Sequence, residues 1–244
     1  MKDLQSSLKK KGKYVTQIIH FVGGVKRTFE GVSTADIKQG QMTKLELIDS
    51  YKYYLSGYDE IINCIACTNT YDKNKDANWN TNYKAVIDLV DYLNTPPDTS
   101  VKLIHFSTDY VYANSKQNAS EKDVPVHDAN WYTYTKIIAE PYVELKLDNY
   151  LIIRATHKPR PFMFDKGLIS QVGNFDYIDV VSKIYIDLIE GDAQGIYNVG
   201  TELKTMYDLG KRTRDDVIPT NIKFHDSMPL DVSMNLDKLK EFYN

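Results

Sequence analysis

Through the middle of this chain, short apolar runs alternate with longer stretches of helical spacing, and that alternation restricts the fold more than any other feature. Residues 59–66 (DEIINCIA) read as a strand buried on both faces, with polar residues only near its entry and exit. Residues 79–93 read as a helix that gathers Val86, Leu89, Val90 and Leu93 on one side. Residues 101–107 (VKLIHFS) predict the next strand, and 131–145 a helix that Pro141 should kink or interrupt. A strand over 150–154, a helix over 177–189, a short strand over 195–199 and a last short helix over 237–242 complete the series. Nearer the start, residues 2–11 suggest a polar helix stopping at Gly12, and 15–22 a strand ended by Gly23-Gly24. A short strand over 32–37 and a helix over 42–55 follow.

Strand–helix alternation of this kind implies parallel strands joined by right-handed crossovers, with helices on both sheet faces. In such sheets a ligand lies beyond the carboxyl ends of the strands. Here those ends are Gly23-Gly24, Ala66-Cys67-Thr68, Ser107-Thr108-Asp109 and Arg154-Ala155-Thr156.

Composition narrows the function classes. At 244 residues one α/β domain is the natural expectation. A formal net charge of −3 and a pI near 6.0 give no footprint for nucleic acid. No segment approaches the roughly 18 apolar residues that span a bilayer, and residues 1–7 lack an apolar signal core, so a cytoplasmic protein is expected. The two cysteines make no disulfide framework. The Cys64–Cys67 spacing fits a redox or metal pair, but a buried strand would turn the two side chains to opposite faces. A zinc site would also need two further ligands, and none is apparent.

Two clusters carry chemistry. Ser107-Thr108-Asp109-Tyr110-Val111-Tyr112 follows a buried strand, and Tyr132-Thr133-Tyr134-Thr135-Lys136 opens a helix. Residues four apart share a helix face, so Tyr132 and Lys136 point the same way. A tyrosine hydroxyl with a pKa near 10 exchanges protons poorly at neutral pH, and a neighbouring ammonium lowers that value. A hydroxyl such as Thr108 can hold a substrate oxygen against the tyrosine. Either cluster alone is weak: with 19 tyrosines in the chain, a Tyr-x-x-x-Lys spacing arises easily by chance. Their order, strand end first and helix second in an α/β series, is the stronger signal.

STDYVY followed by YTYTK, with IINCIACT upstream, resembles the extended short-chain dehydrogenases, and among them the dTDP-4-dehydrorhamnose reductase-like nucleotide-sugar reductases and epimerases. The resemblance is best over residues 59–156 and looser to the end, where Ser233-Met234-Asn235-Leu236-Asp237-Lys238 is similar to a late family motif. It implies a Rossmann-like parallel sheet with helices on both faces over 1–156, incomplete at the N-terminus, with a small C-terminal substrate lobe over 157–244. It implies Thr108, Tyr132 and Lys136 as the catalytic trio and Asn82 as the family's Asn before a helix. Gly23, Gly24, Asp36, Ile37, Ala66, Ser107 and Lys136 would line a site for NADP or NAD. Asp109, Tyr110, Lys158 and Arg160 would face the substrate, a nucleotide sugar, with the two cations meeting its diphosphate and Phe162 or Phe164 covering a ring. A homodimer is the common assembly of such proteins.

The sequence departs from the family in front. The expected Gly-x-x-Gly-x-x-Gly turn, which lets the backbone approach a pyrophosphate, is not found. Residues 2–12 then match the end of the family's first helix and 15–22 its second strand. Lys26 and Arg27 are either a solvated basic loop or partners for a 2′-phosphate. Two functions follow as expectations. One is an NAD(P)-dependent reductase or epimerase of a nucleotide-linked 4-keto sugar, with Tyr132 as proton donor. The other is a protein that keeps the fold, has lost dinucleotide binding and holds another small molecule or a protein partner.

Overall fold

The computed structural model describes residues 18–19, 55, 58–68, 70–71, 75–95, 100–114, 117–123, 125 and 130–244. The expected helix over 2–11, the strand over 32–37, the helix over 42–55 apart from Leu55, and Gly23, Gly24, Lys26, Arg27, Asp36 and Ile37 lie outside these residues. The chain divides into two compact units: residues 13–107 with 130–152, and residues 1–12 with 108–129 and 153–244.

The first unit is built on parallel strands. β1 (Ile18–Ile19) runs beside β2 (Glu60–Asn63) with Ile19 opposite Asn63, and β2 beside β3 (Lys102–Phe106) with Asn63 opposite His105. β4 (Tyr150–Arg154) comes next to β3, and the unit boundary falls within it. Ile61, Ile62, Leu103, Ile104, Leu151 and Ile152 are all buried, as runs that are apolar on both sides require. Helix α1 (Lys75–Asn78) passes through a π turn, Trp79–Lys84, into α2 (Ala85–Leu93). Val86, Leu89, Val90 and Leu93 are the buried face of α2, as the spacing predicts.

Helix α3 (Trp131–Lys146) is capped by Asn130, whose side chain accepts from the Thr133 N–H at 3.2 Å. Contrary to expectation, Pro141 does not interrupt α3. Its ring is on the exposed side, where water can satisfy the carbonyl left without its helical donor, while Ala139, Glu140 and Val143 are buried opposite.

The strand expected over 59–66 is shorter, because Asn63 ends it. Its Oδ1 accepts from the Ile65 N–H at 3.0 Å and turns the chain. Cys64 and Cys67 therefore lie past the strand, both half-buried, not on its two faces. Asn82, in the π turn and fully buried, clasps this exit. Its Oδ1 accepts from Cys67 N–H at 2.8 Å, and its Nδ2 reaches the Cys67 carbonyl at 3.2 Å and Asn78 Oδ1 at 3.0 Å.

The second unit is a patchwork of short pairs around helix α4 (Ile178–Glu190). β7 (Val172–Gly173) sits between β10 (Lys204–Thr205) and β12 (Asp231–Val232). β6 (Lys166–Leu168) pairs with β11 (Ile218–Thr220), and β5 (His157–Lys158) with β8 (Asp176–Tyr177). The end of β4 continues to β9 (Gly195–Asn198), with Val199 N–H donating to the Arg154 carbonyl at 2.9 Å. Helix α5 (Met206–Lys211) carries a Thr205/Asp208 capping box, and α6 (Asp237–Phe242) closes the chain. Buried Asn198 ties three segments together: Tyr112 donates to its Oδ1 at 3.0 Å, and its Nδ2 reaches the carbonyls of Ala119 and Asn235. The α/β class with parallel strands expected from the alternation is the fold observed.

Asn82→Ala leaves the half-buried Cys67 N–H and carbonyl without their partner. It should lower unfolding stability by about 2–4 kcal/mol in a urea titration; a change within experimental error would show that the clasp holds nothing.

Candidate active site

The exits of β2 and β3 in the first unit collect polar groups in a place where burial makes each one costly. His105 is fully buried and its Nδ1 takes a hydrogen bond from the Asn63 amide at 3.1 Å. Burial first, then the nearby Lys136 charge, hold its pKa well below 6.5, so the ring is neutral. Accepting at Nδ1 leaves the proton on Nε2, which has no partner among the described residues.

Lys136 is only 1% exposed, although its sequence spacing with Tyr132 suggested a cleft. Its ammonium donates to the Phe106 carbonyl at 2.6 Å. Burial brings its pKa down to about 8, against the opposing pull of Glu140. Ser107, nearly buried, donates its hydroxyl to Glu140 Oε1. Ala66 is half-buried on the β2 exit, and Tyr132 is half-buried in the first turn of α3, one turn before Lys136. Glu140 escaped the sequence reading, although its position four residues beyond Lys136 was signal enough.

Cys64 is no thiolate: burial pushes its pKa up to about 12. Among the described residues no cluster of His, Cys, Asp and Glu is fit to hold a metal ion.

The second unit holds Thr108, Asp109, Tyr110, Lys158 and Arg160. Thr108 caps a 3₁₀ turn, Asp109–Tyr112, by accepting from the Tyr110 N–H at 3.2 Å. Its hydroxyl also lies 3.4 Å from Asp109 Oδ1, which accepts from Thr156 at 2.5 Å. Asp109 is fully buried and its Oδ2 has no partner among the described residues. Burial raises its pKa to about 6, opposed by the Thr156 hydrogen bond and by Lys158. Lys158, half-buried, is held below the ordinary lysine value by burial, against the attraction of Asp109. Tyr110 receives a long hydrogen bond from Gln171 at 3.5 Å. Thr156 was not singled out by sequence; a threonine just past a strand carries no mark of its role.

Arg160 is exposed and already engaged. Its Nε donates to Asp179 at 2.9 Å, and its guanidinium lies 4.3 Å over the Tyr177 ring. Phe162 is 1% exposed and belongs to the core, so it covers no ligand, whereas Phe164 is exposed beside it. Tyr132, Lys136, Ala66 and Ser107 thus fall in one unit, and Thr108 with the expected substrate residues in the other.

The profile of the NAD dependent epimerase/dehydratase family matches residues 3–158. No curated protein matches the chain. Among solved structures, dTDP-4-dehydrorhamnose reductase from Bacillus anthracis, in complex with NADP, superposes with a TM-score of 0.72 at 17% identity, covering 93% of this chain and 92% of that one. UDP-glucose 4-epimerase from Thermus thermophilus, with NAD, gives 0.74 at 15% identity over 98% and 88%. The Bordetella bronchiseptica enzyme WbmG, with NAD and UDP, gives 0.74 at 15% over 98% and 83%. At these identities the likeness establishes the fold.

Asp109 binds its proton more tightly folded than unfolded, since its pKa rises from 3.8 to about 6. Its contribution to stability is therefore greatest below about pH 4 and is lost as pH rises through 6. Asp109→Asn keeps an oxygen for Thr156 and removes the buried charge. It should raise unfolding stability near pH 7.5 by on the order of 1–3 kcal/mol and have little effect near pH 3.5. Equal effects at both pH values would contradict this account.

Proposed function

Because the chain belongs to the NAD dependent epimerase/dehydratase family, we propose that it is an NAD(P)-dependent reductase or epimerase of a nucleotide-linked 4-keto sugar. The observation that carries the reading is the placement of Lys136. One turn from Tyr132 on α3, it extends its ammonium to the exit of β3, at the carboxyl edge where parallel sheets receive ligands.

The residues fit a nicotinamide dinucleotide. An ammonium has three N–H donors, and the Phe106 carbonyl takes one, which leaves capacity for ligand oxygens. By resemblance, Ala66, Ser107 and Lys136 would hold the nicotinamide end. Bound there, the cofactor supplies or accepts hydride.

The chain's own part is proton handling and placement. Tyr132 gives its phenolic proton to the sugar C4 oxygen in reduction and takes it back in the reverse direction. The Lys136 charge favours the phenolate that remains. Thr108, by resemblance, would offer a hydroxyl to the substrate. Asp109, Tyr110 and Lys158 belong to the substrate side of this reading, and Arg160 would have to leave Asp179 to meet a diphosphate, a modest cost for an exposed pair.

The alternative expected from the sequence stands beside it: a protein that keeps the fold and binds another small molecule without redox chemistry.

Calorimetric titration with NADPH and NADH separates the two. The proposal expects binding of one of them, turnover of a dTDP- or UDP-linked 4-keto sugar, and a loss of about 10²–10⁴-fold in kcat for Tyr132→Phe with cofactor affinity kept. No uptake of either cofactor by well-folded protein would overturn it and leave the second reading.

A further inference from the structure

Tyr132, Lys136 and Glu140 stand four residues apart in succession, so they form one stripe along α3. The stripe turns inward: Lys136 and Glu140 are each 1% exposed. Two opposite charges on a buried helix face are not a device for helix stability. Lys before Glu at this spacing is also the weaker of the two orders. An adjacent pair at the exit of β3 holds both. The Phe106 carbonyl accepts from the Lys136 ammonium at 2.6 Å, and the Ser107 hydroxyl donates to Glu140 Oε1. Residues 106 and 107 thus clamp the cation and the anion of the same helix face.

We propose that Glu140 is a positioning residue: anchored by Ser107, its carboxylate keeps the buried Lys136 ammonium charged and turned to the β3 exit, where that charge serves Tyr132. This rests on the reading of Tyr132 and Lys136 given above and adds a member to that site.

The groups around Lys136 leave this task to Glu140. Cys64, at the β2 exit, carries a thiol pushed up to about 12 and stays neutral. His105, on β3, is held neutral by burial. Tyr132 precedes Lys136 on α3. Among the described residues that act on Lys136, Glu140 is the carboxylate, and its pull opposes the burial that drives the lysine toward neutrality. Without it, an ammonium at this depth gives up its proton at lower pH. Tyr132 would then lose the neighbouring charge at the pH where it works.

The test is a titration of Lys136 in the full chain, labelled with ¹³C at the lysine ε-carbons and followed by NMR. Lys136→Arg identifies the signal by its loss. The wild-type midpoint is expected near 8. Glu140→Gln keeps the size and an acceptor for Ser107 but removes the charge; it should lower the midpoint by about one unit or more, a tenfold loss of proton affinity. Glu140→Asp should restore most of the shift, and Ser107→Ala should lower the midpoint by a smaller step. An unchanged midpoint in folded Glu140→Gln overturns the proposal. Should that variant fail to fold, an unchanged midpoint in folded Ser107→Ala overturns it equally. No cofactor or substrate enters this titration, so it stands even where oxidoreductase activity is absent. With activity present, the basic limb of the kcat/KM profile should move down by the same step.

Discussion

A buried ammonium governs the first unit. Lys136 sits at 1% exposure with its Nζ on the Phe106 carbonyl, and such a charge persists only where partners offset the lost hydration. The exit of β3, the face of α3 and the charge of Glu140 are arranged around that need. Asn130 fixes where α3 begins, and hence which residues turn inward. The Asn82 clasp fixes the neighbouring β2 exit. Chemistry at this edge thus depends on packing that holds a few polar groups dry and in place.

The second unit follows a different logic. Its strands are too short to build a core by themselves, and buried polar residues join them. Asp176 receives Thr201 at 2.7 Å and pairs with buried Lys204 and with Arg212. Asn198 and Tyr112 tie the 3₁₀ turn after β3 to β9 and to the segment before α6. Here polar satisfaction takes the place of long apolar faces.

Long periodic elements were legible in the chain. The bounds of β4 and α6 match the expected ones, and the buried stripe of α2 is the one its spacing marks. What periodicity misses is side-chain capture of the backbone. Cys64-Ile65-Ala66 continues an apolar run, yet Asn63 turns the chain before it. Strands of two or three residues, such as β5, β7 and β12, have no period to read. The site was legible in part for the same reason. Tyr132 and Lys136 announce themselves by helical spacing, whereas the ties of Asp109 to Thr156, 47 residues on, and of Arg160 to Asp179 are made by the fold.

The central claim is that the edge formed by the β2 and β3 exits and the start of α3 receives a nicotinamide dinucleotide. Amide hydrogen exchange of the full chain, with and without saturating NADPH or NADH, tests it most directly. The account predicts slower exchange at residues 64–68, 105–107 and 131–137 on addition of one cofactor. Unchanged exchange in all three segments, with either cofactor, would contradict it.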